Sequence, residues 1–213
     1  ILSAWRHPST SSDSPITIRG RDIWASAGVL VNELARPALF LNLPVVSGEH
    51  RQPVGQPGYL SLRTLLRSPP CWEVAGLEIY ICENPNLVAI AADQLGSNCA
   101  PMMCTDGMPS AAQRALLTQL KKGGARLMYH GDFDWPGLQI ANEVMDAYGA
   151  SPWRFGAADY CIAVNSLTSV THRLVGAPVR AVWDLSLSDV MQAHRVSIAE
   201  EGLAASLMPD LSR

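Results

Sequence analysis

The sequence predicts an α/β protein built on a parallel sheet with helices packed against it. Three observations predict this. Apolar runs over 77–82, 101–105 and 125–130 read as buried strands. The stretches 86–95, 110–122 and 136–148 carry apolar residues at helical spacing. The connections between them are short, and strand–helix units joined in this way form a parallel sheet with right-handed crossovers.

Taken in order, residues 1–20 are rich in Ser, Pro and Thr and read as a loop. Ile23, Ala27, Leu30, Val31 and Leu34 predict a helix over 22–34, ended by Pro37. The run 38–43 reads as a strand stopped by Pro44. Gly and Pro through 47–58 predict a loop, 59–62 a short strand, and 63–67 one or two helical turns. Ser68-Pro69-Pro70 marks a boundary between an N-terminal α/β extension, 1–70, and a larger domain, 71–213. In that domain the helix after the first strand closes at Gly96. Ser110 is placed to N-cap the second helix, which runs to Lys122. Pro136 sits in the first turn of the third, where its missing N–H costs nothing, and Gly149 follows that helix. Beyond 150 the pattern weakens: 160–164 and 179–183 are predicted strands, 188–194 and 198–207 predicted helices.

The 213 residues are 48% hydrophobic, enough to bury a sizeable core. No run of 18 apolar residues predicts a membrane span, and no secretory signal pattern opens the chain. The start at Ile1 is read as that of a fragment or a processed chain. Five cysteines without a C-x-x-C pair argue against a disulfide framework and for a reducing, cytoplasmic home. A net charge of −3 is not the footprint of a self-sufficient nucleic-acid binder.

The chemistry concentrates where the strands end. In open parallel sheets, ligands bind beyond the carboxyl ends of the strands. Glu83 follows the first strand, Asp106 and Gly107 the second, Asp132 and Asp134 the third. In extended backbone, positions two apart point the same way, so Asp132 and Asp134 share a face. Close carboxylates repel unless neutralised, and hard oxygen donors suit Mg²⁺ or Mn²⁺. Each acid also has a plainer reading: Asp134 could cap the helix that starts at Pro136, and Glu83 the helix near Asn86. His130 could orient water or phosphate, or simply bond to backbone. Lys121, Lys122 and Arg126 could touch phosphate, or lie on a solvated helix end. Trp135, Trp153 and Trp183 could stack on bases, or pack in the core. Glu200 or Glu201 could approach the cleft, although paired acids on a helix usually face solvent.

Glu83, then Gly107, then Asp132-x-Asp134-x-x-Gly137, each after a strand, resemble the Toprim domain of topoisomerases, primases and OLD-type nucleases. More specific strings are Ile81-Cys82-Glu83-Asn84-Pro85, Cys104-Thr105-Asp106-Gly107-Met108-Pro109-Ser110 and Tyr129-His130-Gly131-Asp132-Phe133-Asp134-Trp135-Pro136-Gly137. With Pro152-Trp153-Arg154 and Asp159-Tyr160, they are similar to the carboxyl-terminal half of the JetD-like family, the nuclease subunits of Wadjet plasmid-defence systems. The resemblance implies a Toprim-like sheet and a metal-dependent DNA endonuclease working with SMC-like condensin subunits. It implies Glu83, Asp132 and Asp134 as catalytic and metal-holding residues, with Mg²⁺ or Mn²⁺ as cofactor. DNA, the SMC-like complex and a second copy of the chain in a homodimer are the candidate partners; a membrane is not. The rival readings are a topoisomerase- or primase-like Toprim enzyme, and a non-catalytic Toprim-fold module that docks DNA or a partner.

Overall fold

The computed structural model describes residues 32–46, 52–166 and 172–213. The expected segment 1–20, the expected helix up to residue 31 and the loop residues 47–51 lie outside the described residues. Residues 34–213 form one compact unit. Its sheet has six strands: β1 (Ala38–Leu41), β2 (Gly58–Leu60), β3 (Glu78–Cys82), β4 (Met102–Cys104), β5 (Arg126–Tyr129) and β6 (Ser151–Pro152). They lie in the order β2-β1-β4-β3-β5-β6. The pairs β4–β3, β3–β5 and β5–β6 are parallel, while β1 runs antiparallel to both β2 and β4. The protein is therefore α/β with a mostly parallel sheet, and the strands before residue 70 are hydrogen-bonded into that same sheet.

The central strand shows why the parallel reading works. Ile79, Tyr80, Ile81 and Cys82 are all buried, as a strand covered on both faces must be. Ile79 and Ile81 face one layer, with α3 (Ala111–Lys122) and α4 (Trp135–Tyr148) supplying Leu116, Leu117, Leu120, Leu138, Ala141 and Val144. Tyr80 and Cys82 face the other, where α2 (Pro85–Leu95) and α7 (Ala204–Leu211) supply Leu87, Val88, Ala91, Leu207 and Leu211. The short α1 (Leu62–Arg67) is N-capped by Ser61, whose Oγ accepts from Thr64 N at 3.1 Å. The expected strand over 38–43 stops two residues early because Asn42 turns left-handed, at φ +53°. Its side chain then holds Gly96 O and Cys99 O at 2.9 Å each and accepts from Gly55 N at 2.7 Å.

Beyond residue 150 two expectations are corrected. The predicted strand over 160–164 is part of a helix, α5 (Ala157–Ser166). Tyr160 and Ala163 are buried while Ile162 is 66% exposed, which is helical rather than alternating spacing. The helix start is satisfied by two carboxylates: Asp159 accepts from Gly156 N at 2.9 Å, and Asp184 accepts from Ala157 N at 2.7 Å. The predicted strand over 179–183 is a loop. Side chains replace a neighbouring strand there: Asn142 bonds Arg180 O at 2.7 Å and Val182 N at 2.9 Å, and Ser188 Oγ donates to Val179 O at 2.6 Å. The helix expected at 188–194 is α6 (Leu187–His194). That expected at 198–207 begins as a 3₁₀ turn, Glu200–Leu203, before α7. A small ribbon, β7 (His172–Arg173) with β8 (Val196–Ser197), precedes that turn. Among the described residues no helix is long and apolar enough to cross a membrane.

Candidate functional site

Glu83 and Asp132 meet at the carboxyl edge of the sheet because β3 and β5 are parallel neighbours that end side by side. Asp132 N donates to Glu83 Oε2 at 3.3 Å. Phe133, fully buried, turns inward between the two aspartates, each of which is only partly buried. The floor under this loop is tight. A side chain at Gly131 would come within 2.9 Å of Glu83 Oε2. Glu83, Asn84, Pro85, Asp106, Gly107 and Asp132 line an open cleft of about 200 Å³. Asp134 does not line it, but lies near enough to act on both Glu83 and Asp132 electrostatically.

Each of the three acids is oriented by a backbone amide through one oxygen. Glu83 Oε2 takes Asp132 N, Asp132 Oδ1 takes Glu200 N at 2.7 Å, and Asp134 Oδ1 takes Gly137 N at 2.7 Å. Among the described residues, the second oxygen of each, Glu83 Oε1, Asp132 Oδ2 and Asp134 Oδ2, accepts no hydrogen bond. Asp134 thus does cap α4, as its plainer reading held. Glu83 does not cap α2; Asn84 does, accepting from Asn86 N at 2.9 Å. Asp106 sits at φ +54° with its carboxylate 3.7 Å from Arg36, at the rim of the cleft.

Burial dominates the electrostatics. It pushes the Glu83 carboxyl up to about 7; the Asp132 charge adds to this, the Asp132 N–H opposes it, and Asp134 adds a smaller push. Asp132 is raised for the same first reason, against the Glu200 N–H and with help from Asp134 and Glu201. No ion pair neutralises any of the three among the described residues. Nor, among those residues, does any group of three or more His, Cys, Asp or Glu side chains stand ready to hold a metal ion. The donor chemistry nevertheless fits a hard divalent cation: oxygens only, from two adjoining strand ends, with no cationic side chain of the described residues paired to them.

A pH dependence follows from Glu83. From its ordinary 4.5 up to about 7, the folded chain keeps a proton that the unfolded chain has released. The associated stability is complete below about pH 4.5 and is lost as the pH rises through about 7; its size is roughly 3 kcal/mol. Below about pH 6.5 the opposite shift of buried His130 offsets this trend, so in metal-free buffer the denaturation midpoint is expected to fall between about pH 6.5 and pH 8, and Glu83→Gln to flatten that fall. A midpoint that rises over this range contradicts the assignment. Asp132, also raised, acts in the same direction. Asp184 and Asp210 are held low by hydrogen bonds and act oppositely, at more acidic pH.

Other candidates fall away from the cleft. His130 is fully buried among Phe133, Trp153 and Phe155, with Nδ1 2.9 Å from Trp153 O. Burial lowers it to about 4, so it is neutral, and its ring is packing rather than a phosphate contact. Arg126 opens β5 and pairs with Glu78 at 3.3 Å, at the opposite edge of the sheet. Lys121 and Lys122 close α3 toward that same opposite edge, and Lys121 Nζ bonds Ala147 O at 3.3 Å. Trp135 and Trp153 are core residues, and Trp183 stacks on Phe155 at 5.3 Å.

The family of this cleft is given by its sequence. The DUF2399 family model, described as "Protein of unknown function C-terminus", matches residues 58–211. The chain belongs to the DUF2399 family. The matched stretch of this DUF2399 chain carries every acid of the cleft, from Glu83 to Asp134, and Glu200 as well. No curated protein matches the chain.

For Glu200 the default expectation of an exposed helix face fails, and the alternative, approach to the cleft, holds. It is fully buried, not on an exposed helix face. Its carboxylate accepts from Glu83 N at 3.0 Å and Asn84 N at 2.6 Å, across 117 and 116 positions. Glu201 stays exposed and accepts from Asn84 Nδ2 at 2.6 Å. Nothing local distinguishes the two acids; only the arrival of the chain at the strand ends does.

Proposed function

We propose that this chain is a divalent-metal-dependent DNA endonuclease of the Toprim type, the catalytic part of an SMC-associated defence nuclease of the JetD-like kind. The observation that carries this reading is the meeting of Glu83 and Asp132 at adjoining strand ends, with Asp134 close enough to act on both electrostatically. Each is aimed by a backbone amide through one oxygen and leaves the other oxygen unused. A bound Mg²⁺ or Mn²⁺ supplies charge neutralisation for phosphodiester hydrolysis and activation of the attacking water. Asp132 and Glu83 would hold it, with Asp134 from the same loop. Glu83, titrating near 7, is also matched to accept a proton at neutral pH when it is not a ligand. Gly107 keeps the cleft wall open: at φ +74°, it has nothing within 4 Å of the place a side chain would occupy.

The Toprim reading is further supported by the placement of the glutamate strand, β3, between the strand that leads to Gly107 and the one that leads to the aspartate pair. The SMC-like partner, the anti-plasmid role and a homodimer rest on the family resemblance. A second reading has its own support. The absence of a ready-formed metal group among the described residues, and a net charge of −3, suit a docking module that binds no ion. Incubating supercoiled plasmid with the chain and Mn²⁺ or Mg²⁺, against an EDTA control, separates the two. The nuclease reading expects nicked or linear product only with the metal. Equal product in EDTA, or none in any condition together with no calorimetric Mn²⁺ binding, overturns it.

A further inference from the structure

Three hydrogen bonds place Glu200 between the two loops that carry the acids. Its carboxylate accepts from Glu83 N and Asn84 N, at 3.0 and 2.6 Å, while its own N–H donates to Asp132 Oδ1 at 2.7 Å. The segment that brings it there is itself pinned. Phe133 N donates to Ile198 O at 2.9 Å, and Ile198 N donates to Phe133 O at 3.3 Å. Residues 198–200 therefore cross the strand ends as a strap, joined to the 83–84 loop by one side chain and to the 132–133 loop by backbone.

Because both Glu200 oxygens are turned to backbone amides, the side chain has no oxygen directed at the cleft. We infer that Glu200 is a positioning residue: it sets the distance and angle between Glu83 and Asp132, and through them the affinity of the cleft for a divalent cation. This deepens the proposed function and rests on it. A buried acceptor is required because two adjacent N–H donors, at Glu83 and Asn84, otherwise lie buried without partners at the end of β3. One carboxyl oxygen, Oε2, meets both at once. Outer groups that orient ligands typically alter metal affinity 10–100-fold when removed.

The roles open to Glu200 differ in what they need. Positioning needs an acceptor oxygen; ligation or proton transfer needs the negative charge. Glu200→Gln keeps an oxygen where Oε2 now accepts both N–H groups and removes the charge. Glu200→Ala removes the acceptor. The test is Mn²⁺ titration of the full chain by calorimetry, with melting measured in parallel. The expected result is a loss of Mn²⁺ affinity of about 10–100-fold in Glu200→Ala, recovered to within a few-fold of the unsubstituted chain in Glu200→Gln. If Glu200→Ala does not fold, Glu200→Met, which fills the same space without the acceptor, is read in its place. Unchanged affinity in the folded acceptor-less variant overturns the inference and leaves Glu200 a stabiliser of the fold. Equal loss in both variants overturns it in favour of a charge-dependent role. Failure of the unsubstituted chain to bind Mn²⁺ is a different outcome: it removes the metal reading itself, and this inference with it.

Discussion

Asp132→Asn is expected to abolish metal-dependent DNA cleavage while leaving the fold intact. Asp132 takes part in two of the contacts that knit the site together: its N–H meets Glu83 Oε2, and its Oδ1 meets the N–H of Glu200. Asparagine keeps the backbone N–H and an Oδ1 acceptor. What it removes is one negative charge and one free carboxylate oxygen, the groups a hard cation needs. Metal affinity and cleavage should each fall by at least roughly 100-fold, the upper scale for loss of mere outer partners. The melting temperature should stay close to that of the unsubstituted chain. Asp132→Ala should lose as much activity and in addition cost about 1–3 kcal/mol, because the Glu200 N–H is left buried without its acceptor. Full cleavage by a folded Asp132→Asn protein would dispose of the assignment.

Among the described glycines, Gly137→Ala is expected to be the most damaging added methyl. A Cβ there would stand 2.2 Å from Asp132 O and 3.1 Å from Asp134 Oδ1. The first of these atoms is backbone and cannot swing aside, so either α4 or the aspartate loop must move. Overpacking of this kind costs about 3 kcal/mol, the upper end of the usual range. For a chain of this size that is a fall of roughly 6–12 °C in melting temperature. Protein that still folds should bind Mn²⁺ poorly, since the displaced loop carries two of the three acids. Gly107→Ala makes the contrast: nothing stands within 4 Å of its Cβ, although φ +74° still strains it. Equal melting of Gly137→Ala and the unsubstituted chain would contradict the packing described for the loop.

Much of this was legible in the sequence, for physical reasons that particular residues make plain. β3 declared itself because a strand covered on both faces must be apolar at every position, and Ile79-Tyr80-Ile81-Cys82 is. The helix after Asp134 was marked by a capping acid and by Pro136 in its first turn. The convergence of Glu83 and Asp132 followed from parallel neighbours ending at one edge. What stayed hidden depends on partners far away in the chain. Tyr160-Cys161-Ile162-Ala163-Val164 has strand-like composition, yet helix α5 forms there because Asp184 satisfies the Ala157 N–H from 27 positions on. The loop over 179–183 is held by Asn142 and Ser188, which no local pattern reveals. Glu200 belongs to the same class: its burial is set by two amides more than a hundred residues earlier.

The measurement closest to the centre of this account is diffraction from crystals soaked in Mn²⁺, collected where manganese scatters anomalously. An anomalous peak is expected in the cleft within coordination distance of Asp132 and Glu83, roughly 2.0–2.3 Å from their oxygens. A well-ordered cleft with no such peak, and with Glu83 and Asp132 holding only their amide bonds, would contradict it.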